Sequence, residues 1–194
     1  MKSFEYDLGY IQAGLDVMEN YILSEEVFWP LSGNPPAGAP DYPRLTLGGL
    51  LLAKERLTAY PLTHPQETEL QRVISDLEHI CSKWRVAWEK KAGHSFSVRL
   101  RMWRDFIEEY QNNPQDNADR YSYEVRLRVM LKLLKSEGGG QQDYEVNLLF
   151  GLDGYIKSVL EMSGFIWETR IQTGFPKDEY WYLYGNLPPK SKKT

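Results

Sequence analysis

The sequence is poor in the residues that usually hold disulfides and metal ions. It contains a single cysteine, Cys81, and three histidines in 194 residues. One cysteine excludes an intrachain disulfide and gives no sign of an oxidising compartment. The longest uncharged apolar run, 45–53, is about half the length needed to cross a bilayer. Met1 is followed by an acidic and aromatic segment rather than a leader. We therefore expect a soluble, cytoplasmic protein with no membrane partner.

The motifs that usually mark catalytic and metal sites are also missing. On one continuous helix, His79 and His94 would lie about 22 Å apart, too far to share an ion. Cys81 falls on an apolar stripe between Leu77 and Trp84, where a thiol behaves as a small hydrophobe. The chain has no nucleophile elbow, phosphate-binding loop or dinucleotide fingerprint. We expect no metal and no cofactor, name no catalytic residue, and rank an enzyme third among the functional interpretations.

Apolar residues recur at helical spacing through most of the chain. This periodicity predicts helices, because side chains three and four residues apart share one helix face. A chain of this length suits one domain. We expect an all-α bundle of five to six helices over 1–187, followed by a disordered basic tail over 188–194. The predicted helical segments are Tyr6 to Leu23, 47–60, a long helix from Pro65 to Tyr110, 122–134, and Asp143 to about Met162.

Prolines, glycines and a helix cap set the expected boundaries. The proline-rich stretch 30–43 predicts a long loop after the first helix, since proline fixes φ and lacks an N–H group. Thr46 is placed to cap the next helix, and Gly93 is the expected kink in the long one. After Gly164, β-branched and aromatic residues flank a Gly-Phe-Pro turn, so 165–187 reads as a hairpin or an extended arm.

Two stretches, 95–102 and 122–130, alternate apolar and polar residues and share the string VRLR. Strict alternation is typical of a strand. We favour helix for both, because the residues that follow them run at helical spacing and Arg, Leu and Met are good helix formers.

An aromatic motif appears near both ends of the chain, as FWPLSGNPP at 28–36 and YWYLYGNLPP at 180–189. These stretches are either anchors that hold the loop and the C-terminal segment on the bundle, or exposed surfaces for a partner. The first functional interpretation is a non-enzymatic interaction or adaptor protein that binds another protein or a second copy. Its candidate partner-binding residues are Phe28, Trp29, Trp167, Tyr180, Trp181 and Tyr182.

The alternative interpretation is an anion- or nucleic-acid-binding module. The net charge is −4, yet basic residues are concentrated at 83–104 and 120–135. Arginines near aromatic rings suit phosphates and stacked bases. We do not favour nucleic acid, because these cations equally suit a solvated face that the acidic ends of the chain neutralise. The candidate anion-binding residues are Lys90, Lys91, Arg99, Arg101, Arg126 and Arg128.

A smaller candidate lies at Gly48 and Gly49, beside Arg44. Backbone N–H groups at a glycine-bearing helix N-terminus can hold a phosphate. The simpler interpretation, which we prefer, is that the glycines let two helices approach closely.

Overall fold

A computed structural model describes residues 3–140 and 142–189, and it confirms the all-α class. Over these residues no helix is long and apolar enough to cross a bilayer. The same residues contain nine α-helices and one pair of short antiparallel strands. The elements are α1 (Phe4–Leu15), α2 (Met18–Leu23), α3 (Leu47–Ala59), α4 (His64–Lys83), α5 (Arg85–Asn112), α6 (Pro114–Asn117), α7 (Tyr121–Glu124), α8 (Arg126–Ser136), α9 (Asp143–Val159), β1 (Glu161–Met162) and β2 (Gly185–Asn186).

Helix α3 lies at the centre and packs against α1, α5 and α8, while α5 and α8 pack along each other. A Cβ at Gly48 would lie 3.2 Å from the side chains of Met130 and Leu134 on α8. Gly48 therefore allows the close approach of α3 to α8 that the sequence suggested. The core includes Trp88 and Trp103 from α5, both nearly inaccessible to solvent.

The helix interpretation of both VRLR strings is correct. The first lies within α5, and the second runs from Val125, the residue that precedes α8, into that helix. The predicted cap at Thr46 is present, since its Oγ1 accepts a hydrogen bond from the Gly49 N–H at 3.0 Å.

Two long predicted helices are interrupted. The chain leaves helical geometry at Trp84, with φ −117° and ψ 34°, and this separates α4 from α5. Gly93, the expected kink, does not interrupt α5, which continues through it. The first helix likewise divides into α1 and α2 around Val17. Neither break occurs at a proline, so residue propensity alone did not indicate them.

The proline-rich loop between α2 and α3 is fixed at its base and along its length. Trp29 and Leu45 exchange backbone hydrogen bonds of 2.9 and 2.8 Å. The ring of Tyr42 packs against Tyr6 and Tyr10, with centroids 5.1 and 6.0 Å apart. The loop is therefore held against α1.

The C-terminal segment does not form the hairpin considered for 165–187. Strand β2 instead pairs with β1, and 3₁₀ turns at Thr169–Gly174 and Trp181–Leu183 occupy the region between them. At the start of the predicted tail, the carbonyl of Pro188 accepts a 2.9 Å hydrogen bond from the buried Tyr110 hydroxyl. The rest of that prediction, 190–194, lies outside the described residues.

Candidate functional site

The two VRLR strings each contribute their first arginine to one cavity. Arg99 on α5 and Arg126 at the start of α8 both line an open cavity of about 710 Å³, together with residues of α1, α3 and the proline-rich loop. This volume lies within the range of small-molecule binding sites, roughly 300–1,000 Å³. Leu52, Met102 and Met130 supply apolar wall.

Arg99 is buried without an acidic partner among the described residues. It is 6% exposed, and its Nε has no hydrogen-bond partner. One terminal nitrogen donates to Thr46 Oγ1 at 2.9 Å, and the other lies 3.2 Å from Met102 Sδ. Burial lowers the pKa of Arg99, and the nearby charge of Arg126 lowers it further. A buried cation next to a second cation creates strong local demand for an anion.

Both arginines lie beside aromatic rings at the edge of the cavity. The Cζ of Arg99 is 5.1 Å from the ring centroid of Phe28, and the Cζ of Arg126 is 3.6 Å from that of Tyr123. At these distances the ring attracts the guanidinium charge through a cation–π interaction. Arg126 also bonds the Glu124 carboxylate at 3.0 Å, so part of its charge is neutralised within the chain.

The other buried arginine of the cavity is paired with two acids. Arg56 on α3 bonds Asp7 Oδ2 at 2.8 Å and lies 3.3 Å from Glu168 Oε2. Burial works against the charged form of Arg56, but Asp7 and then Glu168 raise its pKa on balance. Arg56 therefore ties α1, α3 and the C-terminal segment together and has little charge left for a ligand.

Tyrosines on α1 complete the wall without adding negative charge. The hydroxyl of Tyr10 donates to the Arg44 carbonyl at 3.3 Å, and that of Tyr6 donates to the Asp41 carbonyl at 3.1 Å. Burial raises the pKa of both phenols above the ordinary value of 10.0. They stay neutral near pH 7 and do not repel an anion.

The structure divides the predicted anion-binding residues. Arg99 and Arg126 come together in the cavity, while Arg101 is exposed. Lys91 donates to the carbonyls of Ser24 and Glu26, at 2.7 and 2.8 Å, just after α2 ends. Lys90 and Arg128 form ion pairs with Glu25 and Asp153, respectively, each at 2.7 Å.

The predicted partner-binding residues are likewise divided. Tyr180 and Tyr182 are buried, so they present no surface to a partner in this conformation. Trp29 and Trp181 are half-buried and pack against Tyr21 and Tyr182, respectively. Phe28 and Trp167 remain at the edge of the cavity, where Trp167 Nε1 donates to the Ser122 carbonyl at 3.0 Å.

Sequence reasoning missed the contributions of Tyr6, Tyr10, Met102 and Tyr123 to the cavity. It also missed the special position of Arg99, although a signal was available. The residues three and four positions from Arg99 are Ser95, Phe96, Met102 and Trp103, none of which is acidic. An arginine on an apolar helix stripe without an acid at helical spacing must find its counter-charge elsewhere.

The described residues offer neither a metal site nor a reactive cysteine. Within 3–140 and 142–189, no three His, Cys, Asp or Glu side chains are placed to hold a metal ion together. Burial raises the pKa of the Cys81 thiol, which disfavours the reactive thiolate. Comparison of the chain with protein-family models, curated proteins and solved structures gives no match.

Proposed function

We propose that this protein binds a small organic anion in the cavity lined by Arg99 and Arg126. The observation that carries the proposal is the burial of Arg99 at 6% exposure without a carboxylate partner in the described chain. Burying an ion without a counter-ion costs several kcal/mol. A ligand anion at Arg99 would supply the missing charge.

Three features of the cavity support this proposal. A second cationic side chain, Arg126, faces the same space. The volume of about 710 Å³ admits an organic molecule rather than only an inorganic ion. The neighbouring phenols of Tyr6 and Tyr10 are neutral near pH 7, and burial raises the pKa of both further above 10.0.

The nucleic-acid form of the proposal has less support, because the basic helices are paired with acids along their outer faces. Lys83 bonds Glu19 at 2.5 Å, Lys90 bonds Glu25 at 2.7 Å, and Lys132 bonds Glu179 at 2.8 Å. These pairs remove the continuous positive surface that a phosphate backbone requires.

The interaction-module interpretation also has less support than the cavity. Two of its six residues, Tyr180 and Tyr182, are buried, and Trp29 and Trp181 are half-buried against the protein's own tyrosines. The remaining two, Phe28 and Trp167, line the cavity, so their aromatic surface is better explained as part of a ligand site.

The test is the melting temperature of the purified protein with benzoate, phenyl phosphate or benzenesulfonate, against sodium chloride at equal ionic strength. At a concentration of about 100 Kd, a ligand that binds only the folded state should raise the melting temperature by roughly 5 to 10 °C. We expect at least one of the three anions to do so.

Two variants show whether the effect arises at Arg99. The increase should disappear in Arg99→Met and persist in Arg101→Met, the exposed arginine of the same VRLR string. If no anion exceeds the chloride control, or if Arg99→Met responds as the parent does, the proposal is wrong.

A further inference from the structure

The geometry points to a ligand class: an organic monocarboxylate whose single charged group is joined to an aromatic or similarly bulky apolar body. This inference rests on the proposed function and narrows it. Three properties of the cavity carry it, namely the balance of charge, the donors left free on Arg99, and the apolar wall.

The balance of charge fits one negative charge. The cavity is lined by four arginines, of which Arg56 is paired with Asp7 and Glu168, and Arg126 with Glu124. The third, Arg44, is exposed, so solvent screens its charge. This leaves Arg99 as the buried cation of the cavity for which the described residues provide no acid.

A more highly charged ligand would carry charge that the buried part of the cavity does not balance. Of the two acids in the lining, Asp7 is paired with Arg56 and Asp41 is exposed. A phosphate monoester carries about −1.5 to −2 at pH 7, and a nucleotide carries more when it has further phosphates. The charge beyond the first would find no free buried cation among the described residues, so a carboxylate matches the site better.

The donors that remain on Arg99 match the two oxygens of a carboxylate. A guanidinium has five N–H groups, and the contacts to Thr46 and Met102 use two. Nε is unpartnered but has almost no accessible surface, and the Arg99 Cζ lies 5.1 Å from the Phe28 ring centroid. The remaining N–H groups of the two terminal nitrogens are therefore the donors left for the ligand, and such a pair can bind a carboxylate through two parallel hydrogen bonds.

The rest of the cavity favours an apolar body on that carboxylate. Leu52, Ala53, Met102 and Met130 form a wall without charge, and methionine side chains adapt to irregular ligand shapes. The indole of Trp167 lies at the same cavity and offers a ring for stacking. A small hydrophilic acid such as acetate would leave most of the roughly 710 Å³ unfilled.

The experiment is isothermal titration calorimetry with four probes that separate charge from body: 2-naphthoate, 2-naphthyl phosphate, neutral 2-naphthamide and acetate. We expect 2-naphthoate to bind at least about tenfold more tightly than each of the others, because 2-naphthamide lacks the hydrogen-bonded charge, acetate lacks the apolar body and 2-naphthyl phosphate carries more than one charge. Arg99→Met should weaken 2-naphthoate binding by about tenfold or more, whereas Arg101→Met should leave it unchanged.

The outcomes separate this inference from the proposed function. Tighter binding of 2-naphthyl phosphate, lost in Arg99→Met, would overturn the monocarboxylate class and leave anion binding standing. Acetate binding as tightly as 2-naphthoate would overturn the requirement for an apolar body. If 2-naphthamide binds as tightly as 2-naphthoate, or if no anion binds, both the inference and the proposed function are wrong.

Discussion

Arg99 and Arg128 belong to the two VRLR strings and lie on helices that pack together, yet among the described residues only Arg128 of the two has an acidic partner. Arg128 donates two hydrogen bonds of 2.7 Å to the two oxygens of Asp153 on α9, and its Cζ lies 4.7 Å from the Tyr182 ring centroid. Arg99 has a hydroxyl and a thioether as its polar contacts. The difference separates an arginine that is paired within the fold from a buried arginine that has no acidic partner among the described residues.

The cavities beside the two arginines differ in the same way. A second space of about 490 Å³ is lined by Arg128, Lys132, Asp153 and Glu179. Of its three cations, Arg128 and Lys132 are paired with the two acids, at 2.7 and 2.8 Å, and Lys135 is exposed to solvent. Although this space is also basic in composition, its less exposed cations are paired within the protein, so cation count alone does not identify an anion site.

The largest effect is expected from Arg128→Met. Removing one partner of a mostly buried pair leaves Asp153 uncompensated, and the side chains are 13% and 19% exposed. We expect a loss of roughly 2 to 4 kcal/mol in the free energy of unfolding, near the lower part of the range for broken buried pairs. Urea denaturation measures it. A change below about 0.5 kcal/mol would mean that the Arg128–Asp153 pair contributes little to the stability of the fold.

Arg99→Met should change stability in the opposite direction. In the ligand-free protein it removes a buried charge without a carboxylate partner and keeps an apolar stem of similar length. We expect the free energy of unfolding to rise by roughly 1 to 2 kcal/mol, less whatever the Thr46 hydrogen bond contributes. The same urea series measures it. Destabilisation comparable to that of Arg128→Met would show that Arg99 is a structural residue and would erase the contrast.

A smaller effect is expected from Tyr21→Phe, a substitution on α2. The Tyr21 hydroxyl accepts from the Leu47 N–H at 2.8 Å and donates to the Val27 carbonyl at 3.3 Å, which connects α2 and the proline-rich loop to α3. Its removal should cost about 1 kcal/mol near pH 7. Thermal melts compare the two proteins.

The same residue gives a pH dependence whose sign is fixed. Burial raises the pKa of Tyr21 from 10.0 to about 12. Because the folded state holds the proton more tightly, this contribution to stability is complete below pH 10 and is lost as the pH rises through 12. Tyr21→Phe should therefore lose less stability than the parent between these values. Parallel curves for the two proteins would contradict this assignment.

The smallest effect is expected from Arg101→Met. Arg101 is exposed on α5, two residues from Arg99, and surface substitutions of this kind usually change stability by less than about 0.5 kcal/mol. Urea denaturation should place it with the parent protein. A larger change would mean that Arg101 contributes to the stability of the fold, contrary to its exposed position in the structure.

The helical class and several element ends could be predicted from the sequence because they depend on local chemistry. The spacing of apolar residues on α5 and the cap at Thr46 are examples, and both are present in the structure. The break at Trp84 could not be predicted in this way, because Trp84 is neither proline nor glycine and the adjoining helices continue the same apolar spacing.

The candidate site was predictable only in part. Arg99 and Arg126 were singled out by the basic clusters and by the shared VRLR string, but so were Lys90, Lys91, Arg101 and Arg128. To tell which of these cations are already paired, one must know their long-range partners, such as Asp153 for Arg128 and the Ser24 carbonyl for Lys91. These contacts join residues far apart in the chain, and a helical period does not contain that information.

The Trp29–Leu45 backbone pair has a practical consequence for following the molecule in solution. It closes the loop at its base, so an insertion at the tip around Gly38 leaves the two ends of the loop in place. Gly38 is exposed, has φ +79°, and would meet no atom within 4 Å if a Cβ were added. Exposed tips tolerate inserted sequence, and loop-closure entropy grows slowly with length. Since Pro40 and Pro43 of the same loop line the arginine cavity, Gly38 is a suitable place to insert a fluorescent reporter.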